Sequence, residues 1–175
     1  MLQHLTIVAT GGTIDKIYFD DKSTFQIGAP QIGEILTQLG VAFPFDVIAL
    51  MRKDSLHLNE SDRDLIRRTI QAQPHRHVMV THGTDTMVET GLYLKRGIAN
   101  PEVPIVLTGS MTPLGFEESD ALQNLTEALF ATRLLDPGVW IVMHNQVFPI
   151  DRVRKDRELA RFVPLTPASN PAANS

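Results

Sequence analysis

Apolar residues in this chain keep two rhythms that take turns. Short β-rich runs occupy His4 to Ala9, Asp46 to Met51, His77 to Thr81, Pro104 to Thr108 and Val139 to Met143. Between them the apolar positions return at helical spacing. Pro30 opens a stretch carrying Ile32, Ile35, Leu36 and Leu39, which Gly40 closes. Asn59 suits the N-cap of a helix with Leu65, Ile66, Thr69 and Ile70 on one face, ending before Pro74. A third helix is predicted from about Asp85 to Arg96, with Gly97 at its end. A fourth runs through Ala121 to Leu134 and stops ahead of Pro137-Gly138. Gln146 to Ile150 reads as a short antiparallel addition.

Five strands alternating with four helices predict an α/β fold. Its sheet is mainly parallel, with helices on both faces, in a three-layer flavodoxin- or Rossmann-like arrangement. The segment between the first strand and Pro30 reads as a polar loop. No repeat of fixed period runs along the chain. Residues 1–163 are expected to form one domain, and Pro164 to Ser175, with three prolines among Ala, Ser and Asn, a disordered tail.

Composition changes this picture mainly by exclusion. The 175 residues suit a single domain, with 43% hydrophobic and 21% charged residues. A net charge of −4 offers no footprint for nucleic acid or an anionic membrane. Cysteine is absent, which removes disulfides, thiolate zinc sites and a cysteine nucleophile. The scattered histidines, including His75-Arg76-His77, lack a third ligand at metal-binding spacing. Met1 to His4 runs into a strand pattern with no basic region or long apolar segment, so the expected location is the cytoplasm.

The chemistry concentrates in two turns of like construction, Val8-Ala9-Thr10-Gly11-Gly12-Thr13 and Val80-Thr81-His82-Gly83-Thr84-Asp85-Thr86. Each ends a β-rich run, breaks at glycine and presents threonine hydroxyls. Such breaks fall at the carboxyl ends of strands, where open α/β sheets bind ligands. The first turn lacks the glycine spacing and lysine of a phosphate loop and does not match the dinucleotide fingerprint. Asp85 is expected in the first turn of a helix, where free N–H groups favour an anion or a developing oxyanion. A threonine hydroxyl needs a base and oriented partners to act as a nucleophile. His82 is either such a base or a hydrogen-bonded structural group. Lys155, inside the run Asp151 to Arg157, reads by composition as part of a solvated charged face.

Thr10-Gly11-Gly12-Thr13-Ile14 and Thr81-His82-Gly83-Thr84-Asp85-Thr86-Met87 resemble the two signature motifs of the bacterial-type L-asparaginase family. Leu107 to Met111, Ser119-Asp120 and Asn124-Leu125 are similar to later segments, so the resemblance spans roughly residues 4–157. It implies an asparaginase N-terminal-domain fold. It also implies hydrolysis of a side-chain amide of L-asparagine, or of L-glutamine, to a carboxylate and ammonia, with no metal or organic cofactor. By position Thr13 matches the nucleophile. Thr84, Asp85 and Lys155 match the proton-relaying group, and Tyr18 matches a loop tyrosine that orients the nucleophile. Gly12, Ser55, Thr84, Asp85 and Ser110 match substrate-binding positions, Ser55 for the α-carboxylate and Ser110 through its backbone carbonyl. Leu56 stands where the family often has a polar ligand.

The resemblance implies that members usually carry a second, C-terminal domain joined by a linker, which is expected to start where this chain stops. The resemblance further implies a homo-oligomer, a dimer or larger. Two other classes stay open: a non-catalytic amino-acid-binding module on the same fold, and a tRNA-dependent amidotransferase subunit, which would need a tRNA surface and a partner chain.

Overall fold

In the computed structural model, residues 4–19, 24–73 and 77–165 are described. In chain order the elements are β1 (Leu5–Gly11), β2 (Lys16–Phe19), β3 (Thr24–Ile27), α1 (Ile32–Gln38), β4 (Phe45–Lys53) and α2 (Glu60–Gln71). There follow β5 (His77–Thr81), α3 (Met87–Gly97), β6 (Pro104–Thr108), α4 (Ala121–Leu134), β7 (Gly138–Met143), β8 (Gln146–Pro149), β9 (Val153–Asp156) and β10 (Arg161–Pro164). Short 3-10 turns at Thr13–Asp15, Ser55–His57 and Ile150–Arg152 join some of them.

The main sheet has six strands in the order β4-β1-β5-β6-β7-β8. The first four pairings are parallel and β8 returns antiparallel to β7. Alternation along each strand divides the core in two. Val8, Val80, Leu107 and Ile141 face one way and pack with Ile66 and Ile70 of α2 and Met87 and Leu94 of α3. Ile7, Met79, Val106 and Val142 face the other way, against Ile32 and Leu36 of α1 and Leu125 and Ala128 of α4. Burying each large aliphatic side chain contributes roughly 1.5–3 kcal/mol. The fold is therefore the mainly parallel α/β sheet with helices on both faces that the chain's periodicity predicts.

Strand order positions the site. From β1 the chain goes to β4 on one side and then crosses back to β5 on the other. The crevice at the carboxyl ends of β1 and β5 is thus a topological switch point, where the helical crossovers diverge and leave space for a ligand. Both glycine turns leave the sheet there.

Local signals hold well for the long elements. Asn59 caps α2 in a full capping box, accepting from the Asp62 N–H while Asp62 accepts from the Asn59 N–H. α3 starts at Met87 with Thr86 at its N-cap, so Asp85 lies in the turn ahead of the helix rather than in its first turn. Two segments differ more. The polar loop after β1 folds into the β2–β3 hairpin, and the charged run after β8 into the β9–β10 hairpin. Each of these strands has four residues, too few for a period to declare itself.

The chain is strand through Pro164, and residues 166–175 of the expected tail lie outside the described residues, as do His75 and Arg76. Among the described residues no helix is long and apolar enough to cross a membrane.

Candidate active site

Glycine makes the site possible by letting backbones touch. Gly12 has φ +89° and ψ −171°, a conformation open essentially to glycine alone. A Cβ there would stand 2.4 Å from the Gly83 nitrogen, so the two turns meet backbone to backbone. A Cβ on Gly83 would in turn lie 2.6 Å from the Ser55 hydroxyl. Gly12, Gly83 and Ser55 are therefore stacked, which brings together the turns that carry Thr13 and Thr84. The Gly12 N–H donates to the Lys53 carbonyl at 3.0 Å, which ties the first turn to the end of β4. Thr10 Oγ1 donates to the Thr81 carbonyl at 2.8 Å, and Thr86 Oγ1 to the Ser55 carbonyl at 2.8 Å.

Lys155 is not solvated surface. Its ammonium donates to Thr84 Oγ1 and to Asp85 Oδ1, each at 2.8 Å, across about seventy residues of sequence. The β9–β10 hairpin explains why. Val153 and Lys155 share one face of β9, because side chains alternate along a strand. Val153 is buried in the core, and Phe162, directly opposite Lys155, is buried beside it. The Lys155 stem is drawn inward with them, leaving the side chain 16% exposed. Arg154, on the other face, is exposed. Asp85 also lies 3.9 Å from the Arg157 guanidinium, a second cation at the rim.

Thr13 opens the 3-10 turn after Gly12 and is half-buried, and its hydroxyl makes no hydrogen bond among the described residues. Ser55 and Ser110 are buried, and Ser110 Oγ has no hydrogen-bond partner among the described residues. Tyr18 is not gathered with the others. It sits on the β2–β3 hairpin, 52% exposed, with its ring 5.2 Å from that of Phe25. Leu56 is also exposed.

One site residue carries a network that spacing alone does not reveal. His82 is fully buried, and desolvation brings its pKa down to about 4, against the hydrogen bond to the Gly83 carbonyl and with help from the Arg63 charge. It is therefore neutral at neutral pH. Its Nδ1 lies 2.7 Å from the Gly83 carbonyl, and its Nε2 lies 2.8 Å from Thr90 Oγ1. Thr90 Oγ1 also accepts from Arg63 Nε at 3.2 Å.

Residues 4–161 match the family described as Asparaginase, N-terminal. The chain belongs to this family. It is 31% identical over 162 residues to an L-asparaginase of Thermococcus kodakarensis, covering 89% of this chain and 48% of that protein. A glutaminase-asparaginase of Acinetobacter glutaminasificans is 28% identical over 168 residues, covering 87% of this chain and 49% of that one. The solved thermostable L-asparaginase from Thermococcus kodakarensis superposes with a TM-score of 0.82 at 28% identity, over 92% of this chain and 51% of that one. The chain spans about half the length of the curated relatives it matches.

In this asparaginase-family domain a second polar network holds the loop after β6. Asp120 accepts from the N–H groups of Met111 and Thr112 at 3.0 Å, from Asn124 Nδ2 at 2.8 Å and from His144 Nε2 at 2.7 Å. Burial pushes its carboxyl up, but these donors together outweigh burial and hold it below the ordinary carboxylate value. Asn124 is fully buried and also donates to the Gly109 carbonyl at 3.0 Å while accepting from the His144 N–H at 2.9 Å. The segment that carries Ser110 is thereby fixed at both ends. Asp120 and Asn124 are visible in sequence as part of the resemblance, but their link to His144 is made by the turn between β7 and β8. Among the described residues no group of three or more His, Asp or Glu side chains is arranged to hold a metal ion.

Proposed function

We propose that this domain hydrolyses the side-chain amide of L-asparagine to L-aspartate and ammonia, with Thr13 as nucleophile. The observation that carries the reading is the Lys155 ammonium, shared at 2.8 Å between the Thr84 hydroxyl and the Asp85 carboxylate. A turn with a purely structural task has no use for a part-buried lysine recruited from a distant hairpin.

The Thr13 oxygen attacks the amide carbon, and the amide oxygen becomes an oxyanion held by backbone N–H groups of the glycine turns. The nitrogen takes up a proton as the carbon–nitrogen bond breaks, and ammonia leaves. Water then cleaves the resulting ester, restoring Thr13 and releasing aspartate. Thr84, Asp85 and Lys155 move the protons in both halves. Ser55 binds the α-carboxylate, the Ser110 carbonyl meets the substrate amide, and Tyr18 orients Thr13. The relatives named as glutaminase-asparaginase make L-glutamine a second amide to try.

The test is ammonia release from L-asparagine and L-glutamine by the purified protein. Thr13→Ala is expected to lose several orders of magnitude in kcat with its fold intact. Leu56, 60% exposed where the resemblance implies a polar ligand, favours one other reading, a non-catalytic amino-acid binder. Calorimetric binding of asparagine without ammonia release would select it.

A further inference from the structure

His82 lies under the second turn, on the α3 side of the sheet, and its two ring nitrogens have different partners. The Gly83 carbonyl can only accept, so the Nδ1 facing it carries the ring's proton. The neutral ring then leaves Nε2 bare, and the Thr90 hydroxyl donates to it. That hydroxyl oxygen accepts in turn from Arg63 Nε. The chain of donors runs one way, from a permanently charged guanidinium through a hydroxyl and an imidazole to one peptide carbonyl. Every member is satisfied, and no member has a free choice of direction.

The carbonyl at the end belongs to the peptide that joins Gly83 to Thr84. That peptide is trans, as are all the described peptides, so its C=O and N–H point in opposite directions. A carbonyl held down on the His82 ring turns the Thr84 N–H away from it. The Thr84 N–H bonds no acceptor among the described residues. It lies on the residue whose hydroxyl touches Lys155, beside the backbone contact between Gly12 and Gly83. Gly83 has no side chain to resist rotation of this peptide, so the orientation has to be imposed from outside.

We propose that His82 is a positioning residue: through Nδ1–H on the Gly83 carbonyl it fixes the Gly83–Thr84 peptide so that the Thr84 N–H faces the developing oxyanion. The inference rests on the amide-hydrolysis reading and names the residue that orients its oxyanion donor. The donor acts on charge that exists only in the transition state, so its loss is a loss of kcat and not of substrate binding.

Three measurements on the whole chain test this. Long-range proton–nitrogen NMR on the wild type is expected to find the His82 proton on Nδ1, the minor form of a free imidazole. His82→Leu, which removes the donor, is expected to lower kcat about 10²–10³-fold with KM changed less than about threefold. His82→Asn, which can place an amide N–H near the Nδ1 position, is expected to stay within about tenfold of the wild type.

Circular dichroism first establishes that each variant is folded, and the NMR result stands if His82→Leu is not. A folded His82→Leu with wild-type kcat, or a His82 proton found on Nε2, overturns the inference while amide hydrolysis itself survives. A wild-type protein that releases no ammonia from either amide removes the underlying reading, and the role of His82 with it.

Discussion

At the scale of single residues, three ionisable side chains show how burial and partners compete. Lys155 sits between Thr84 and Asp85, and its removal leaves the Asp85 carboxylate, among the described residues, with Arg157 at 3.9 Å as its one remaining cation. Lys155→Met is expected to cost roughly 1–3 kcal/mol in urea melts, since the pair is only partly withdrawn from water. It is also expected to lower kcat by about 10²–10⁴, as for loss of a proton-transfer partner. A variant with wild-type stability and turnover would return Lys155 to the surface.

Asp15 and Asp120 are shifted in opposite directions and so act in opposite senses on pH. Asp15 is buried, with one 3.4 Å bond from the Gln31 N–H. Desolvation lifts its pKa to about 6, against the Gln31 N–H and the Arg52 charge. The folded chain therefore holds a proton that the unfolded chain has released, and Asp15 weakens the fold as pH rises from about 4 to 6. Asp15→Asn is expected to remove that slope and to stabilise the protein at pH 7 by roughly 1–3 kcal/mol, read from melting curves across pH. The depressed carboxyl of Asp120 does the reverse. Its contribution is present above the ordinary carboxylate range and is lost as pH falls through its lower folded value.

At the scale of elements, the site depends on how a few short segments are held at strand ends. The loop between β6 and α4 has no regular structure of its own, and Asp120 organises it by accepting from two of its backbone N–H groups, from α4 and from the β7–β8 turn. Asp120→Ala is expected to leave these donors without their acceptor and to cost roughly 2–4 kcal/mol in denaturant unfolding. Hydrogen exchange at Met111 and Thr112 is expected to quicken in the native state, well before global unfolding. The long elements were legible because period and caps agree in them. Asn59 with Asp62 announces α2, and the apolar runs of β5 and β6 coincide with the strands observed. The hairpins were not. A four-residue strand such as Val153–Asp156 offers a single buried aliphatic residue, and its charged neighbours read as surface until Phe162 is paired across from Lys155.

At the scale of the whole molecule, the decisive contact joins two turns that are about seventy residues apart. Gly12 and Gly83 pack without side chains, and Ser55 completes the stack from the end of β4. Gly12→Ala is expected to be among the most damaging single changes in the chain. A methyl group would meet Gly83 backbone at 2.4–2.5 Å in a conformation already strained for alanine. A loss of about 3 kcal/mol or more, with no amidase activity remaining, is the outcome expected from calorimetry and an ammonia assay. An alanine variant that melts like the wild type would mean that the turns do not meet as described.

By itself the sequence determined the class of fold and the family. Hydrophobic period is written locally, so alternating strand and helix patterns suffice for a parallel sheet with helices on both faces. The two glycine–threonine motifs carry family membership because they are contiguous in the chain. Tertiary structure decided what those motifs touch. Lys155 reached Thr84 only because an unpredicted hairpin turned its inner face toward the core. Behind the His82 ring, which faces the Gly83 carbonyl through Nδ1, Thr90 and Arg63 from two different helices meet at Nε2 and close a line of partners. Contacts of this kind depend on which faces of distant elements meet, and no local pattern records that.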